Sequence, residues 1–357
     1  MFDRAADLHC SVGLAFMAAK PSQPDAPEAR LSATLPHILR STLFGATALA
    51  LIACDAPSGR VPDQNATKQA GVAAELPKPT SSGYADAAEG LKVHYEIYGK
   101  GEPIVVMAGG LMDPSFMAQV IGPLSRNRQV IGIDLEGHGH TALRNTPLSH
   151  ERNGDDVAAV LSHLKIQRAD IAGYSHGGDA AIRMAIQHPE MVRNLIVIST
   201  AAGRDGWYPE VLKGMTAVSA AQAPQMKQTP IYQRYAAVAP HPEQFGLLLD
   251  RMGELMKKDY DWRPEIAKIK APTLLLFADH DAVSTKHIAD FFALFGGGLR
   301  DAGWVGTPHY SRARLAIVPG YNHYNFGQGP DIARLIETYL IHPTSKATQF
   351  VPEEKTS

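Results

Sequence analysis

The sequence has almost no cysteine and almost no excess of charge. Of its 357 residues only Cys10 and Cys54 are cysteines, so no disulfide bond is expected, even in an oxidising compartment. The 34 Lys and Arg residues nearly balance the 36 Asp and Glu residues, and no basic run is present. A nucleic-acid partner is therefore not expected, because phosphate binding requires clustered positive charge.

The usual sequence signatures of a metal or dinucleotide site are also missing. The histidines do not form a set such as His-Glu-x-x-His, and no dinucleotide glycine pattern with a downstream acid occurs. His138 and His140 lie in a Gly-rich segment, where a structural role is far more common than metal binding. We therefore expect neither a cofactor nor a bound metal.

Residues 41–53 form an uncharged apolar run that is too short to cross a bilayer comfortably. The run has the length of the hydrophobic part of a signal peptide, and it ends in Leu51-Ile-Ala-Cys54. That ending resembles a bacterial lipobox, in which the cysteine is lipidated and becomes the mature N-terminus. The forty residues before the run are long for a signal peptide, so we expect translation to begin nearer Leu31 or Leu35.

The lipobox resemblance implies a location and a division of the chain. Asp55 follows Cys54, and in bacterial lipoproteins an Asp there is associated with retention at the inner membrane. We expect a lipid anchor on the periplasmic face of the inner membrane of a bacterial envelope. Residues 1–54 are predicted to be the signal region and residues 55–82 a flexible linker, because they contain almost no large apolar side chain. The folded domain is predicted at 83–345 and a tail at 346–357.

The most informative stretch is Gly173-Tyr-Ser175-His-Gly177-Gly178. A β-favouring run at 169–172 precedes it, and a helix-compatible run at 179–188 follows it. Glycines two residues before and after Ser175 allow a sharp strand-to-helix turn that exposes the hydroxyl. The N-terminal amides of the helix would then point at the serine, which suits a developing oxyanion.

Apolar runs and helical patterns alternate along the rest of the chain, which predicts a mostly parallel sheet covered by helices on both faces. Strands are predicted at 91–98, 104–107, 129–134, 169–172, 195–200, 273–278 and 315–318. Ligands of such sheets bind at the carboxyl ends of the strands. Ser175, Asp281 and His323 all follow predicted strands, in the chain order Ser, Asp, His.

These motifs together resemble the α/β-hydrolase superfamily, in its cap-bearing esterase and proline-iminopeptidase-like branch. The resemblance covers about residues 84–341. It rests on the Gly-Gly pair after the 104–107 strand, Asp134-x-x-Gly-His-Gly, Gly-Tyr-Ser-His-Gly-Gly, Ala-Asp-His-Asp281 and Pro-Gly-Tyr-Asn-His323. The chain departs from the family at Ala108, where a histidine usually braces the oxyanion loop.

The resemblance implies a role for each site residue. Ser175 is the expected nucleophile, His323 its general base and Asp281 the acid that orients the imidazole. Asp279 is expected to cap a turn or loop instead. The expected oxyanion donors are the backbone N–H groups of His176 and Gly110, with Leu111 as the second choice for the latter.

The segment from about 201 to 269 is far longer than a connecting loop and is rich in Met and aromatic residues, so we expect a helical cap over Ser175. The predicted activity is hydrolysis of small to medium apolar carboxylic esters through an acyl-enzyme. Lactone hydrolysis, proline-selective aminopeptidase action and cofactor-free perhydrolysis use the same three residues and stay open. A non-catalytic, membrane-tethered binding protein is the alternative from another class, and the oligomeric state is not predicted.

Overall fold

The computed structural model describes residues 76–301, 303 and 310–341. The predicted signal region, Cys54 and the predicted C-terminal tail lie outside these residues. The described strands are β1 Ser81–Asp86, β2 Lys92–Tyr98, β3 Glu102–Met107, β4 Arg128–Ile133, β5 Ala169–Tyr174, β6 Val192–Ile198, β7 Thr273–His280 and β8 Ala313–Asn322. They form one sheet in the order β1-β2-β4-β3-β5-β6-β7-β8.

The helices separate the strands along most of the chain. They are α1 Ala118–Leu124, α2 His150–His163, α3 His176–Gln187, α4 Pro209–Ala217, α5 Ala223–Met226, α6 Pro230–Val238, α7 Phe245–Lys257, α8 Arg263–Ile266, α9 Thr285–Leu294, α10 His323–Phe326 and α11 Pro330–Ile341. Strand β2 is antiparallel to β1 and β4, and every other neighbouring pair is parallel. The predicted α/β architecture with a mostly parallel sheet is confirmed.

Both faces of the sheet are covered by helices. Val105 and Met107 of β3 belong to a core cluster that includes residues of α2, α3 and α9. Ile104 and Val106 point the other way and pack with residues of α1, α10 and α11. Because successive side chains of a strand alternate between faces, a strand buried on both sides has to be apolar throughout. This explains the continuous apolar runs of the sequence.

The N-terminal edge of the sheet differs from the prediction. Strand β1 begins at Ser81, and Thr80 already donates backbone and side-chain hydrogen bonds to the carbonyl of Ile97. The last residues of the predicted linker therefore belong to the sheet. Apolar content could not reveal this strand, because it lies at an edge, is mostly exposed and is paired through its backbone to β2 alone.

Helices α4 to α7 lie between β6 and β7, in the segment predicted to form a cap. Helices α6 and α7 share a buried apolar cluster of their own, which consists of Tyr235, Phe245, Leu248, Leu249, Met252 and Leu255 with Leu148. The apolar side chains of α4, which are Val211, Leu212 and Met215, pack instead against the core cluster that includes Val105 and Met107. The two ends of the segment pack elsewhere. Trp207 and Trp262 are buried in the core cluster of Val105 and Met107 between the sheet and helices α2, α3 and α9, which we call the main core. The cap is thus narrower than predicted, and its two ends are packed into the main core. No helix of the described residues is both long and apolar enough to span a membrane.

Candidate active site

Ser175 lies between β5 and α3 with φ 52° and ψ −117°, a conformation that non-glycine residues rarely adopt. The flanking glycines make this turn possible. A Cβ on Gly173 would lie 1.9 Å from the carbonyl oxygen of Gly177, and a Cβ on Gly177 would lie 2.5 Å from the carbonyl oxygen of Met107. The turn is fixed by a hydrogen bond of 2.8 Å from the Ser175 N–H to the carbonyl of Ile198. The spacing of glycines around the serine is therefore a steric requirement.

His323 is the first residue of α10, directly after β8. The side chain of Asn322 caps this helix by accepting hydrogen bonds from the N–H groups of Tyr324 and Asn325. The Tyr174 hydroxyl donates to the carbonyl of His323. These contacts hold the imidazole 3.1 Å from Ser175, measured from Nε2 to Oγ.

Asp281 follows β7 and accepts a hydrogen bond of 3.0 Å at Oδ1 from His323 Nδ1. It is buried, and it also accepts hydrogen bonds from the Ser199 hydroxyl and from the N–H groups of Ala278 and Val283. Burial alone would raise the pKa of Asp281, but these donors and the imidazole together lower it below its ordinary value. The carboxylate is therefore ionised at neutral pH and fixes the orientation of His323.

Asp279 lies two residues earlier but faces a different part of the structure. Its carboxylate accepts hydrogen bonds from the backbone N–H groups of Gly320 and Tyr321. A hydrogen bond with His280 is the main reason for its lowered pKa. Asp279 thus links the end of β7 to the last residues of β8 through their backbone N–H groups. This capping of backbone groups agrees with the role expected from the sequence.

The N–H groups of Gly110 and His176 lie on the two segments that border Ser175. In the described part of the chain, neither donates a hydrogen bond to another protein group. Gly110 lines both cavities that adjoin Ser175, whereas Leu111 lines only the larger of them. The two N–H groups are therefore free to bind an oxygen atom of a ligand.

The loop after β3 has no histidine brace, but other contacts hold it. Ala108 is buried, and its carbonyl lies against Gly177, where a Cβ would approach it to 2.6 Å. Asp113 caps the turn at its far end through a 2.7 Å hydrogen bond from the N–H of Ser115. The same carboxylate is 2.6 Å from Arg234 of α6, so the loop is also bonded to the cap.

A cavity of about 400 Å³ opens beside Ser175 and His323. The sheet side contributes the loop after β3 together with Ser175 and His323. The cap side contributes mainly apolar side chains, which are Val211, Met215, Val218, Met252 and Met256. The cavity is large enough for a ligand of medium size, and its lining favours apolar groups.

A second cavity of about 90 Å³ also borders Ser175, and more ionisable side chains contribute to its wall. His150, His176, Asp179, Arg204 and Tyr260 contribute to its wall. Sequence reasoning did not single out these side chains as a group, nor Ser199 beside Asp281. Ser199 follows β6, so the rule that ligand-binding residues follow parallel strands could have drawn attention to it.

The fold and the site define a hydrolase built on a parallel sheet with a serine at a strand-to-helix turn. Residues 102–330 match the family model described as alpha/beta hydrolase fold, and the chain belongs to this family. The match covers the sheet from β3 to β8, together with the cap and Ser175, Asp281 and His323.

The names of its relatives refer to different hydrolase reactions. The chain is 26% identical over 244 residues to a protein named as a carbamate hydrolase from Azorhizobium caulinodans, covering 64% of this chain and 90% of that one. It is 23% identical over 261 residues to the pimeloyl-[acyl-carrier protein] methyl ester esterase of Nitrosomonas europaea, covering 67% and 95%. The structure of a carboxylesterase from Bacillus subtilis superposes with a TM-score of 0.56 at 18% identity, covering 73% and 91%. This last similarity shows the shared fold.

Proposed function

We propose that the protein is a serine hydrolase that cleaves small to medium apolar carboxylic esters. The observation that carries the proposal is the hydrogen-bonded series Ser175, His323 and Asp281, with distances of 3.1 and 3.0 Å, at the wall of a largely apolar cavity. A serine hydroxyl is a weak nucleophile unless a neighbouring base removes its proton. His323 is placed to do this, and ionised Asp281 stabilises the imidazolium that results.

The proposed reaction has two halves. The Ser175 oxygen attacks the ester carbonyl carbon as its proton passes to His323 Nε2, and the backbone N–H groups of Gly110 and His176 stabilise the oxyanion. The imidazolium then protonates the leaving alcohol, which departs and leaves an acyl-enzyme. A water molecule gives its proton to His323 and attacks the acyl carbon, and the acid is released as Ser175 regains its proton.

The lining of the larger cavity favours an ester over an aminoacyl substrate. An enzyme that selects a free α-amino group requires a carboxylate or other acceptor for the ammonium. Among the described residues that line this cavity the only carboxylate is Glu210, which is solvent-exposed. The methionines and valines of the cap instead suit an apolar acyl group.

The test is an activity panel of aryl esters, lactones and aminoacyl amides on the purified full-length chain, with Ser175→Ala as the matched control. We expect hydrolysis of the aryl esters by the wild-type protein and almost none by the variant. Turnover of lactones or aminoacyl amides at higher kcat/KM than any ester would assign one of those activities instead. If no class is hydrolysed, the protein is better explained as a binding protein.

We also propose that Cys54 carries the lipid that anchors the protein on the periplasmic face of a bacterial inner membrane. The support is the lipobox-like Leu51-Ile-Ala-Cys54 and the following Asp55. Two or more acyl chains would give stable anchoring, since each buried CH₂ contributes about 0.8 kcal/mol. Cells grown with a tagged fatty acid should label the wild-type protein and not Cys54→Ser. Equal labelling of the two would exclude lipidation at this residue.

A further inference from the structure

The smaller cavity contains a cluster of two histidines and one aspartate beside Ser175. His150 is the first residue of α2, His176 is the first residue of α3, and Asp179 follows His176 by one helical turn. The two helices pack closely at Gly154, where a Cβ would lie 2.9 Å from the backbone nitrogen of Met184. At the N-terminal ends of the two helices, the ring centroids of His150 and His176 lie 6.0 Å apart, and both residues line the cavity.

The spacing of the three side chains fits a metal ion. His150 Nδ1 lies 3.5 Å from Asp179 Oδ2, and His176 Nδ1 lies 3.7 Å from the same oxygen. One donor atom of each residue lies within 4.8 Å of the others. Ligand atoms about 2.0–2.2 Å from a tetrahedral zinc ion are roughly 3.3–3.6 Å apart.

The hydrogen bonds around the cluster leave donor atoms without partners. His150 is only 9% exposed, and its Nδ1 atom is buried without a hydrogen-bond partner among the described residues. Asp179 accepts a hydrogen bond at Oδ1 from the Thr200 hydroxyl, whereas the described chain supplies no hydrogen bond to its Oδ2. A buried imidazole nitrogen is costly to leave unpaired, and a cation bound between it and the Asp179 carboxylate oxygen would satisfy it.

The imidazoles can offer lone pairs to such a cation. His150 Nδ1 is the buried ring nitrogen without a hydrogen-bond partner, and a neutral imidazole offers a lone pair at such an atom. His176 Nε2 lies 3.1 Å from the side-chain amide nitrogen of Asn153, whose own oxygen is buried without a partner. Turning this amide by 180° lets the oxygen accept the Nε2 proton of His176, which leaves the Nδ1 lone pair free.

From these observations we propose that His150, His176 and Asp179 bind one divalent transition-metal ion, for which Zn²⁺ fits the ligand set and the spacing. Two imidazoles and one carboxylate leave a fourth position open, and this position faces the smaller cavity. The ion would occupy that cavity and leave the larger one for the substrate. The proposal is independent of the hydrolase activity proposed above.

A second cluster of the same composition provides the matched control. His94, Asp134 and His140 also have donor atoms within 4.8 Å of one another. There, however, Asp134 Oδ2 already accepts hydrogen bonds from His94 Nδ1 at 2.8 Å and from the backbone N–H of His140 at 2.8 Å. Since its oxygen is already bonded, this cluster should not bind the metal.

The test is isothermal titration of Zn²⁺ into the full-length chain, prepared without a histidine tag and treated with a chelator. We expect one ion per chain in the wild-type protein. Affinity should fall at least tenfold in His150→Gln and in the isosteric Asp179→Asn, and it should be unchanged in His140→Gln. Circular dichroism and Tm in chelator check that each variant is folded, and Zn²⁺ should raise Tm only where the site is intact.

Substitution with Co²⁺ gives a second readout, because its visible absorption is intense in four-coordinate sites and weak in six-coordinate ones. The intense spectrum should appear in the wild-type protein and be absent from folded Asp179→Asn. The proposal is overturned if the folded wild-type chain binds no stoichiometric Zn²⁺. It is also overturned if His140→Gln weakens binding as much as His150→Gln does.

Discussion

The two walls of the larger cavity are built by different means. On the sheet side, Ser175 and His323 are fixed by strand ends, helix starts and hydrogen bonds to the backbone. On the cap side, Met215, Met252 and Met256 line the cavity with apolar side chains. Met252 and Met256 belong to α7 and pack in the separate apolar cluster of the cap, whereas Met215 of α4 packs against the main core. Substitutions on the sheet side should therefore change the rate of the chemistry, whereas substitutions on the cap side should change which substrate is preferred.

The largest effect is expected on the sheet side, for Ser175→Ala. Loss of the nucleophile should lower kcat for an aryl ester by about 10⁴-fold or more and leave the fold intact. Steady-state kinetics and circular dichroism measure the two properties. Ser162→Ala, at an exposed position of α2, is the control and should keep the wild-type rate. A Ser175→Ala enzyme with a tenth of the wild-type rate would rule out this residue as the nucleophile.

The next largest effect separates two aspartates at the end of β7. Asp281→Asn should lower kcat by about 10⁴-fold, because an amide at this position favours the wrong tautomer of His323. Asp279→Asn should cost far less, since that carboxylate bonds the backbone N–H groups of Gly320 and Tyr321 in β8 and the side chain of His280, not His323. Kinetics of the two variants on one ester give the ranking. The reverse ranking would assign the orienting role to Asp279.

A third prediction concerns the pH dependence of stability, which two buried histidines outside the cap, His138 and His150, should set. Burial lowers the pKa of His138 and of His150 to about 4, whereas an unfolded histidine titrates near 6.5. Asp179, His176, Glu151 and Lys258 also act on His150, but burial has the largest effect. Below about pH 6.5 the unfolded chain binds more protons than the folded chain. The stability that these neutral rings provide is thus lost between about pH 6.5 and 4.

The measurement is the free energy of unfolding by denaturant from pH 7 to 5, with a chelator present. Each histidine should contribute a slope of up to about 1.4 kcal/mol per pH unit, which is tenfold in the folding equilibrium. His150→Gln should remove one such contribution. His241→Gln on the cap, at a side chain that is 54% exposed, is the control for the substitution itself. An unchanged slope in His150→Gln would contradict the prediction.

The smallest effect is expected on the cap side. Val211 of α4 lines the larger cavity, so Val211→Phe should shorten the space for an acyl chain. Each CH₂ of lost contact costs about 0.8 kcal/mol, or close to fourfold in kcat/KM. We expect p-nitrophenyl esters of medium chains to lose activity while the acetyl ester keeps it. Leu212→Ala, one residue along the same helix and outside the lining, should keep the wild-type profile. A uniform loss for all chain lengths would show that Val211 does not select the acyl group.

Most of the sheet and the proximity of Ser175, Asp281 and His323 could be predicted from local patterns. Continuous apolar runs mark strands buried on both faces, and Gly173 is required by a contact with the nearby Gly177. Gly177 is required by a tertiary contact with Met107 at the end of β3, but the Gly-x-Ser-x-Gly pattern reveals it all the same. Strand β1 could not be predicted, because an exposed edge strand lacks that pattern. Helix α1 could not be predicted from the sequence either, because it is short and contains Pro123.

Features that depend on tertiary packing could not be predicted either. His150 and His176 are distant in the sequence and come together only because α2 packs against α3. Trp207 and Trp262 belong to the segment expected to form the cap, yet they pack into the main core. A count of aromatic residues gives the size of a cap but not the direction in which each side chain points.

The ion pair between Asp113 and Arg234 joins helix α6 of the cap to the loop that carries Gly110. Arg234 is half exposed, while Asp113 is almost fully buried and also holds the N–H of Ser115. A movement of α6 away from the site has to break a charge pair whose outer partner is in contact with solvent. Dissolved salt weakens such a pair, so the connection between the cap and the loop that carries Gly110 should loosen as ionic strength rises, without any change in the reacting groups.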